Sequence, residues 1–172
     1  GDAWHVALSN AETVQARTVV NAAGAWADEV AALFGAAPLG IEPRRRSAFT
    51  FRAPEGVDVS NWPMVADVDE GWYIKVDAGQ LLGSPANADP VEPHDVQPEE
   101  LDIAMGIPAI QAAPTLELRR PTAPSAGLRS FVRDGAIVIG FDASVPHFFC
   151  LAPPGASGIL VASGPSLLAP PL

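Results

Sequence analysis

The sequence predicts an α+β fold with an antiparallel or mixed sheet in its middle part, and three observations support this. Short alternating apolar runs, separated by turn residues, fill residues 43–131. One helix or helix pair is expected within residues 97–113. Both flanks instead combine apolar strand-like runs with small-residue turns and helical patterns. We therefore expect a central antiparallel sheet with one helical element, between two flanks that pack together.

Composition and charge limit the possible partners. With 172 residues, of which 48% are apolar and 17% charged, the chain is typical of a globular protein. Its net charge of −10 argues against binding to nucleic acid or to anionic membranes. No apolar run reaches the roughly 18 residues that a membrane span needs, and no signal-peptide pattern opens the sequence. A cytoplasmic location is expected.

Cysteine and histidine predict neither a disulfide nor a metal site. Cys150 is the one cysteine, which excludes an internal disulfide and suits a reducing compartment. We expect it to be a small buried hydrophobic residue. The histidines show no ligand spacing with one another or with Cys150, so no metal is expected.

The N-terminal flank is predicted to form a hairpin followed by a strand–turn–helix unit. Trp4–Leu8 and Thr13–Val20 predict two paired strands. Asn21–Gly24 then leads into a helix that ends near Gly35. Its predicted apolar face carries Trp26, Val30, Leu33 and Phe34. A strand, small residues and a helix start suit a ligand phosphate, but an ordinary tight turn is the favoured reading from these residues alone.

The middle region reads as a meander with one interrupted helix. Strands are predicted over Ser47–Phe51, residues 64–66, 72–76, 80–83 and Leu116–Arg120, with turns at residues 69–71 and 77–79. The arginine triplet at 44–46 is predicted to be the solvated start of a strand or to form ion pairs with nearby acids, rather than to bind an anion. A helix should begin at Gln97 with Pro98 in its first turn, and Pro108 should kink or split it near Gly106.

The C-terminal flank places one arginine beside apolar strands and a glycine loop. Arg129 precedes the strand predicted over Ala136–Gly140 and the strand around Cys150. Its guanidinium suits a ligand carboxylate, and an ion pair with Asp134 or Glu117 is the structural alternative. A loop at residues 153–158 then enters a helical segment, 159–168.

Four segments together carry a family pattern. They are Arg17–Ala27 (RTVVNAAGAWA), the pair Tyr73–Ile74 with Gly79 and Gly83, the Gly127-Leu-Arg129 run, and Phe131–Asp142 with its strand-glycine-acid ending. This pattern resembles the FAD-dependent amine and amino-acid oxidases, the family of the D-amino-acid, glycine and sarcosine oxidases. The resemblance implies an FAD-binding, Rossmann-like domain in remnants at 1–42 and 132–172, and a substrate-binding domain at 43–131.

The resemblance also implies roles for individual residues. Arg129 would bind the carboxylate of a small amino-acid or amine substrate, and Tyr73 would face the same carboxylate. For Tyr73 the alternative is a packing role with its hydroxyl at the rim of the strand. Cofactor contacts would come from four residues of the two small-residue loops: Ala23, Gly24, Gly155 and Gly158. No catalytic residue is assigned. The implied chemistry is hydride transfer to FAD from the carbon next to the amine nitrogen, followed by hydrolysis of the imine.

The sequence departs from the family pattern at three places. The Gly-x-Gly-x-x-Gly turn that holds the pyrophosphate is absent, Lys75–Asp77 replaces a common Pro-Arg pair, and Pro153–Pro154 interrupts the final glycine loop. We therefore expect the C-terminal half of an oxidase, inactive alone, unable to retain FAD, and dimeric through the apolar surface meant for a missing N-terminal half. The alternative is a non-catalytic truncated remnant that binds small carboxylates or dimerises.

Overall fold

The computed structural model describes residues 3–112 and 121–152. The chain divides into two compact units, Gly1–Pro43 with Arg129–Leu172, and Arg44–Leu128. The elements of the described residues are, in chain order, β1 (Trp4–Ala7), β2 (Thr13–Ala16), β3 (Val19–Asn21), a short 3-10 turn (Gly24–Trp26), α1 (Ala27–Leu33), β4 (Glu42–Phe51), β5 (Val65–Ala66), β6 (Tyr73–Asp77), β7 (Gln80–Ser84), β8 (Asp89–Pro90), α2 (Glu100–Ala112), β9 (Ala123–Phe131), β10 (Val138–Phe141) and β11 (Phe148–Ala152).

In the first unit, two distant pieces of sequence share one sheet. Strand β11 pairs antiparallel with β10 on one side and parallel with β3 on the other. Strands β1 and β2 form a separate hairpin. The core beneath the three-stranded sheet is built by Ala31, Ala36, Val145, Phe148 and Cys150. The prediction that Cys150 is a small buried hydrophobic residue is confirmed, because it is only 4% exposed.

The predicted strand Thr13–Val20 is wrong as a single element. Only Thr13–Ala16 returns along β1, whereas Val19–Asn21 joins β11 in another sheet. The Val19 N–H donates to the carbonyl of His147, which fixes the start of this parallel pairing. The similar β propensity of the two halves hid the break, and the partner of the second half lies far along the chain.

The apolar face predicted for the first helix is also partly wrong. A 3-10 turn over Gly24–Trp26 precedes α1, so the helical phase assumed from the sequence does not hold. Ala27 and Ala31 are the buried residues of α1, while Leu33 is 83% exposed. Phe34 lies just beyond α1, in ring contact with Trp4 and Phe148. The predicted stop holds, since Gly35 takes a φ of +75° directly after the helix.

The second unit contains the predicted meander. Strands β5, β6 and β7 pair antiparallel in succession, β7 continues to β4, and β4 also pairs with β8 and β9. Asp77 pairs with Gln80, so β6 and β7 are joined by a two-residue turn. Ala78 and Gly79 have φ values of +45° and +79°, as a type I′ hairpin turn requires. The meander prediction is confirmed.

Helix α2 differs from its prediction in its start and in its continuity. It begins at Glu100 rather than in the turn of Pro98, and it runs without a break to Ala112 with Pro108 inside. Of the predicted kink or split near Gly106, the split is therefore wrong, and the kink stays a prediction. Gly106 has a packing role instead, because an added Cβ would lie 3.1 Å from the side chain of Pro85 and 3.3 Å from Phe49. Tertiary packing holds the helix together across the missing N–H of the proline.

The core of the second unit lies between the sheet and α2. Its largest fully buried side chains are Phe49, Phe51, Leu81 and Ile110. Gly83 lets α2 approach β7 closely, since an added Cβ would come within 2.9 Å of Ile110 Cδ1. The predicted strand Leu116–Arg120 and helix 159–168 lie outside the described residues. Neither described helix is both long and apolar enough to cross a membrane.

Candidate functional site

A buried asparagine holds the turn that follows β3. Asn21 is only 2% exposed. Its Nδ2 donates to the carbonyl of Ala27 at 2.8 Å, and its Oδ1 accepts from the N–H of Ala23 at 3.3 Å. One side chain therefore ties both ends of the turn to the end of the strand. The sequence showed this asparagine only as a residue of the family pattern, and its bridging role required coordinates.

Gly24, at the centre of this turn, has a conformation that favours glycine. Its φ of +58° lies in the left-handed region. An added Cβ would meet only one atom within 4 Å, the Oγ of Ser130 at 3.9 Å. The turn therefore presents open backbone at Gly24, beside a hydroxyl. Ala23, which precedes it, is half-buried.

Ser130 is a residue that sequence reasoning missed. It lies on β9 and is 7% exposed. Its hydroxyl makes no hydrogen bond among residues 3–112 and 121–152, and it is not one of the fully buried unpartnered atoms there, since Arg45 Nε is the one such atom. A single serine in a strand carries no periodic or motif signal, so only its neighbourhood draws attention to it.

Arg129 is half-buried on β9 and makes no ion pair within the described part of the chain. Asp134, which the sequence offered as a partner, uses its Oδ1 to accept from the Ala136 N–H at 3.0 Å. Glu117, the other suggested partner, lies outside the described residues. The binding role of Arg129 stays a prediction.

Tyr73 opens strand β6 and is half-buried. It stands opposite Ser84 on β7 and Ala66 on β5. It belongs to the second unit and Arg129 to the first, so a pocket shared by the two stays a prediction. Gly155 and Gly158, the other predicted cofactor contacts, lie outside the described residues.

One of the two interpretations of the arginine triplet, that it supplies partners for nearby acids, is confirmed for Arg45. The side chain of Arg45 is 13% exposed and forms ion pairs with Asp89, Glu99 and Asp102. Asp102 also accepts from Ser47 Oγ at 2.6 Å and from Asn87 Nδ2 at 3.0 Å. The carboxylates contact the two terminal nitrogens of Arg45 and join β4 to the start of α2, whereas its Nε is buried without a hydrogen-bond partner in the described residues.

Burial and hydrogen bonding in the first unit shift the pKa values of Cys150 and Asp142 in opposite directions. Burial raises the pKa of the Cys150 thiol, and the carboxylates of Asp142 and Asp28 raise it further. The pKa of Asp142 is lowered by its side-chain hydrogen bond with Ser144 and by the backbone N–H groups of Ser144 and Val145. The Cys150 thiol is thus poorly suited to act as a nucleophile.

Asp28 organises the loop after α1 rather than a ligand site. Its carboxylate accepts from the N–H groups of Leu39, Gly40 and Ile41, at 2.6 to 3.0 Å. The sequence indicated only that an acid in the first helical turn suits the helix dipole. In the described residues no group of three side chains is placed to hold a metal ion.

Comparison with known families decides the affiliation of the chain. The model of the FAD dependent oxidoreductase family, abbreviated DAO, matches residues 1–168. The chain belongs to this family. A curated member, the bovine (Bos taurus) FAD-dependent oxidoreductase domain-containing protein 1, is 27% identical, with the match covering 73% of this chain and 28% of the bovine protein.

Solved structures show the same fold. Glycine oxidase from Geobacillus kaustophilus superposes with a TM-score of 0.72 at 23% identity, over 93% of this chain and 42% of the oxidase. Iminodiacetate oxidase from Chelativorans sp. BNC1 gives a TM-score of 0.73 at 21% identity, over 88% and 40%. L-proline dehydrogenase from P. horikoshii gives 0.70 at 21%, over 91% and 42%. This member of the DAO family therefore spans less than half the length of the relatives it matches.

The turn around Gly24 is the described part of the predicted cofactor site. Gly24 leaves backbone accessible where a Cβ would stand, and the hydroxyl of Ser130 beside it lacks a protein partner in the described region. Backbone N–H groups at such a turn approach a ligand closely. These two features support the predicted contact of Ala23 and Gly24 with FAD, which stays a prediction.

Proposed function

We propose that this chain is the C-terminal part of an FAD-dependent oxidase that acts on the CH–NH bond of a small amino acid or secondary amine. The membership of the DAO family supports the cofactor and the reaction class. The solved structures it resembles include a glycine oxidase and an iminodiacetate oxidase. One observation in this chain supports the proposed substrate class: Arg129 is half-buried and has no ion-pair partner in the described residues.

In this proposal each residue has a limited task. Arg129 holds the substrate carboxylate with two parallel hydrogen bonds, and Tyr73 adds its hydroxyl. Ala23 and Gly24, with Gly155 and Gly158, lie against the cofactor. FAD, when bound, supplies a hydride acceptor for the carbon next to the amine nitrogen. The contribution of the protein is to bind the carboxylate and so orient the reacting carbon.

Arg129→Lys tests the substrate site. The lysine keeps the charge but loses the planar fork, so affinity for small carboxylates should fall by roughly tenfold from an already weak, about millimolar value. We expect the melting temperature to be nearly unchanged, since no ion pair of the described residues is lost. NMR titrations with glycine, sarcosine and D-alanine measure the affinity.

Arg133→Lys is the matched control, because Arg133 is an exposed arginine of the same stretch. Its titration curves should superpose on those of the wild type. If Arg129→Lys instead lowers the melting temperature and leaves binding unchanged, Arg129 has a structural role and the substrate site is elsewhere.

The isolated chain should not retain FAD. It lacks the Gly-x-Gly-x-x-Gly turn, and Pro153–Pro154 remove two N–H donors from the final loop. Purified and dialysed protein should show no absorbance between about 350 and 500 nm, where a bound flavin absorbs. Protein that stays yellow and releases flavin on denaturation would contradict this prediction and would show that the missing half is not needed for retention.

An apolar surface of the first unit supports the proposal of a missing half. The surface is one face of the three-stranded sheet, made of Val20, Ile139, Phe141, Phe149 and Leu151, and we term it the open sheet face. Register places these side chains together, with Ile139 opposite Leu151, and Phe149 between Phe141 and Val20. Val20 is 56% and Phe141 is 45% exposed. Five apolar side chains without a charge suit burial against another polypeptide.

In the absence of that polypeptide, the open sheet face should make the chain a homodimer. Light scattering should give about twice the chain mass of 17.9 kDa. Leu151→Glu places a charge in the face and should yield monomers. Val68→Glu, at a position that is 91% exposed in the second unit, is the control and should remain dimeric. A wild-type monomer at high concentration would overturn this part of the proposal.

The second candidate is a non-catalytic remnant that binds small carboxylates or dimerises. The short length of the chain supports this candidate, because the chain covers only 42% of the glycine oxidase. The mass of the native product separates the two candidates, since a product of oxidase length supports the enzyme. For either candidate we propose a cytoplasmic location, based on Cys150 as the single cysteine.

A further inference from the structure

The chain has a single lysine and a single tyrosine, and the fold places them on one face of the same strand. Lys75 and Tyr73 both lie in β6, two residues apart. Ile74, between them, is 4% exposed in the core of the second unit, and Val76 packs against that core. Because successive strand residues point to opposite faces, the side chains of Tyr73 and Lys75 share the face turned away from this core. Their Cα atoms are about 7 Å apart along the strand.

The polar groups of both side chains have capacity left to bind a ligand. The hydroxyl of Tyr73 makes no hydrogen bond with a described residue. The ammonium of Lys75 has one partner in the described part of the chain, Asp77, and the Nζ–Oδ1 distance of 3.5 Å is at the long limit of a hydrogen bond. Both side chains of this pair are 44% exposed, so the pair is weak. Since an ammonium has three donors, Lys75 is able to bind a further anion.

The neighbours across the sheet do not compete for such an anion. Leu82 of β7 stands opposite Lys75, and Ser84 of β7 stands opposite Tyr73. Leu82 is apolar and half-buried. The hydroxyl of Ser84 donates to the carbonyl of Ser47 and accepts from the N–H of Ala86, so both of its functions are in use. The groups of this face that remain for a ligand are therefore one ammonium and one phenol hydroxyl.

We propose that Lys75 is a specificity-determining residue that binds a second anionic group of the substrate, so that the substrate is a small dicarboxylic amino acid or amine. This inference rests on the proposed function, in which Tyr73 faces the first carboxylate. An ammonium is a compact charge on a flexible stem, so it attracts an anion without requiring one fixed geometry. The net charge of −10 repels dianions in general, so a preference for one has to come from a local cation.

Titration of the full chain with aspartate and with asparagine, each as both enantiomers, tests the inference. Asparagine matches aspartate in size but lacks the second charge, and glycine reports whether the proposed substrate site binds a single carboxylate. The backbone amide signals of Tyr73 and Lys75 in the NMR spectrum of labelled protein report binding. The wild type should bind one enantiomer of aspartate roughly three- to tenfold more tightly than the matching asparagine. This preference should shrink as salt is added, because a partly exposed charge is screened.

Four variants separate the charge of Lys75 from its other properties. Lys75→Met should remove the preference for aspartate and leave the affinities for asparagine and glycine unchanged. Lys75→Arg keeps the positive charge and should keep the preference. Asp77→Asn should increase it, because the carboxylate that competes for the ammonium is gone. Arg52→Met is the matched control, since it removes one positive charge at an exposed position of the same unit, and it should bind as the wild type does.

A thermal melt separates binding from a structural role. Lys75→Met should melt close to the wild-type temperature, because the ion pair that it removes is exposed. A lower melting temperature together with weaker binding of asparagine would assign Lys75 a structural role and overturn the inference.

Two further outcomes distinguish this inference from the proposed function. If glycine binds but the wild type does not prefer aspartate, or if the preference survives in Lys75→Met, the inference is overturned and the proposed function stands. If glycine, aspartate and asparagine all leave the signal of Tyr73 unchanged, the proposed substrate site fails, and this inference fails with it.

Discussion

Asn21→Leu should destabilise the first unit by about 2–4 kcal/mol, which is a large part of the stability of a small domain. Leucine has a similar volume, so the loss comes from hydrogen bonding rather than from a cavity. The carbonyl of Ala27 and the N–H of Ala23 both lose their side-chain partner at a position that is 2% exposed. Urea unfolding, with hydrogen exchange of the amides of β3 and β11, measures the effect.

Asn10 offers a matched control in the same unit. Its Oδ1 accepts from the N–H of Glu12, two residues ahead, as Asn21 accepts from Ala23, but the bond is exposed. Asn10→Leu should therefore change the stability by less than about 0.5 kcal/mol. Equal effects of the two substitutions would contradict the view that the Asn21 bridge fixes the turn. Asn21→Leu should also remove the predicted cofactor contact at Gly24, because the turn would no longer be held.

Arg45→Met should destabilise the second unit by about 3 kcal/mol or more, because it leaves a largely buried carboxylate without its cation. The side chains of Arg45 and Asp102 are 13% and 14% exposed, whereas those of Asp89 and Glu99 are more than half exposed. Asp102 is therefore the carboxylate whose charge would stay largely buried without a paired cation. Methionine keeps most of the apolar stem of the arginine, so lost packing contributes little.

Arg52→Met is the control for this effect, since Arg52 is an exposed residue that follows the same strand. It should unfold at nearly the wild-type urea concentration. Hydrogen exchange should locate the loss from Arg45→Met at the start of α2, where Glu99 and Asp102 lie. If the loss is uniform over the unit or is matched by Arg52→Met, the ion-pair cluster is not what joins α2 to β4.

Local patterns were sufficient to predict much of the secondary structure. The alternation of residues 64–83 and the Ala78–Gly79 turn predicted the meander of β5, β6 and β7, because hairpin pairing involves neighbours in sequence. Gly35 predicted the end of α1 for the same reason, since the left-handed residue after a helix depends on the local backbone. Features that depend on residues only a few positions apart could therefore be predicted from the sequence.

The family and its expected site were also within reach of the sequence. The Arg17–Ala27 and Gly127–Arg129 segments indicated FAD-dependent oxidases, and the DAO family match agrees. Arg129 stood out because its motif is contiguous. Ser130, next to it, has no motif of its own, and only the structure shows that it lies beside Gly24.

Tertiary structure alone decided the remaining features, because they depend on residues distant in the sequence. The pairing of Val19–Asn21 with β11, the ion pairs of Arg45 with three acids, and the continuity of α2 across Pro108 all belong to this class. At Pro108, packing overrides a helix preference worth about 3 kcal/mol. The strand pairing and the ion pairs form only when the fold brings distant residues together. The sequence by itself determined most of the secondary-structure elements and the family of this protein. The tertiary contacts decided where the elements begin and end, which strands pair and which charges form ion pairs.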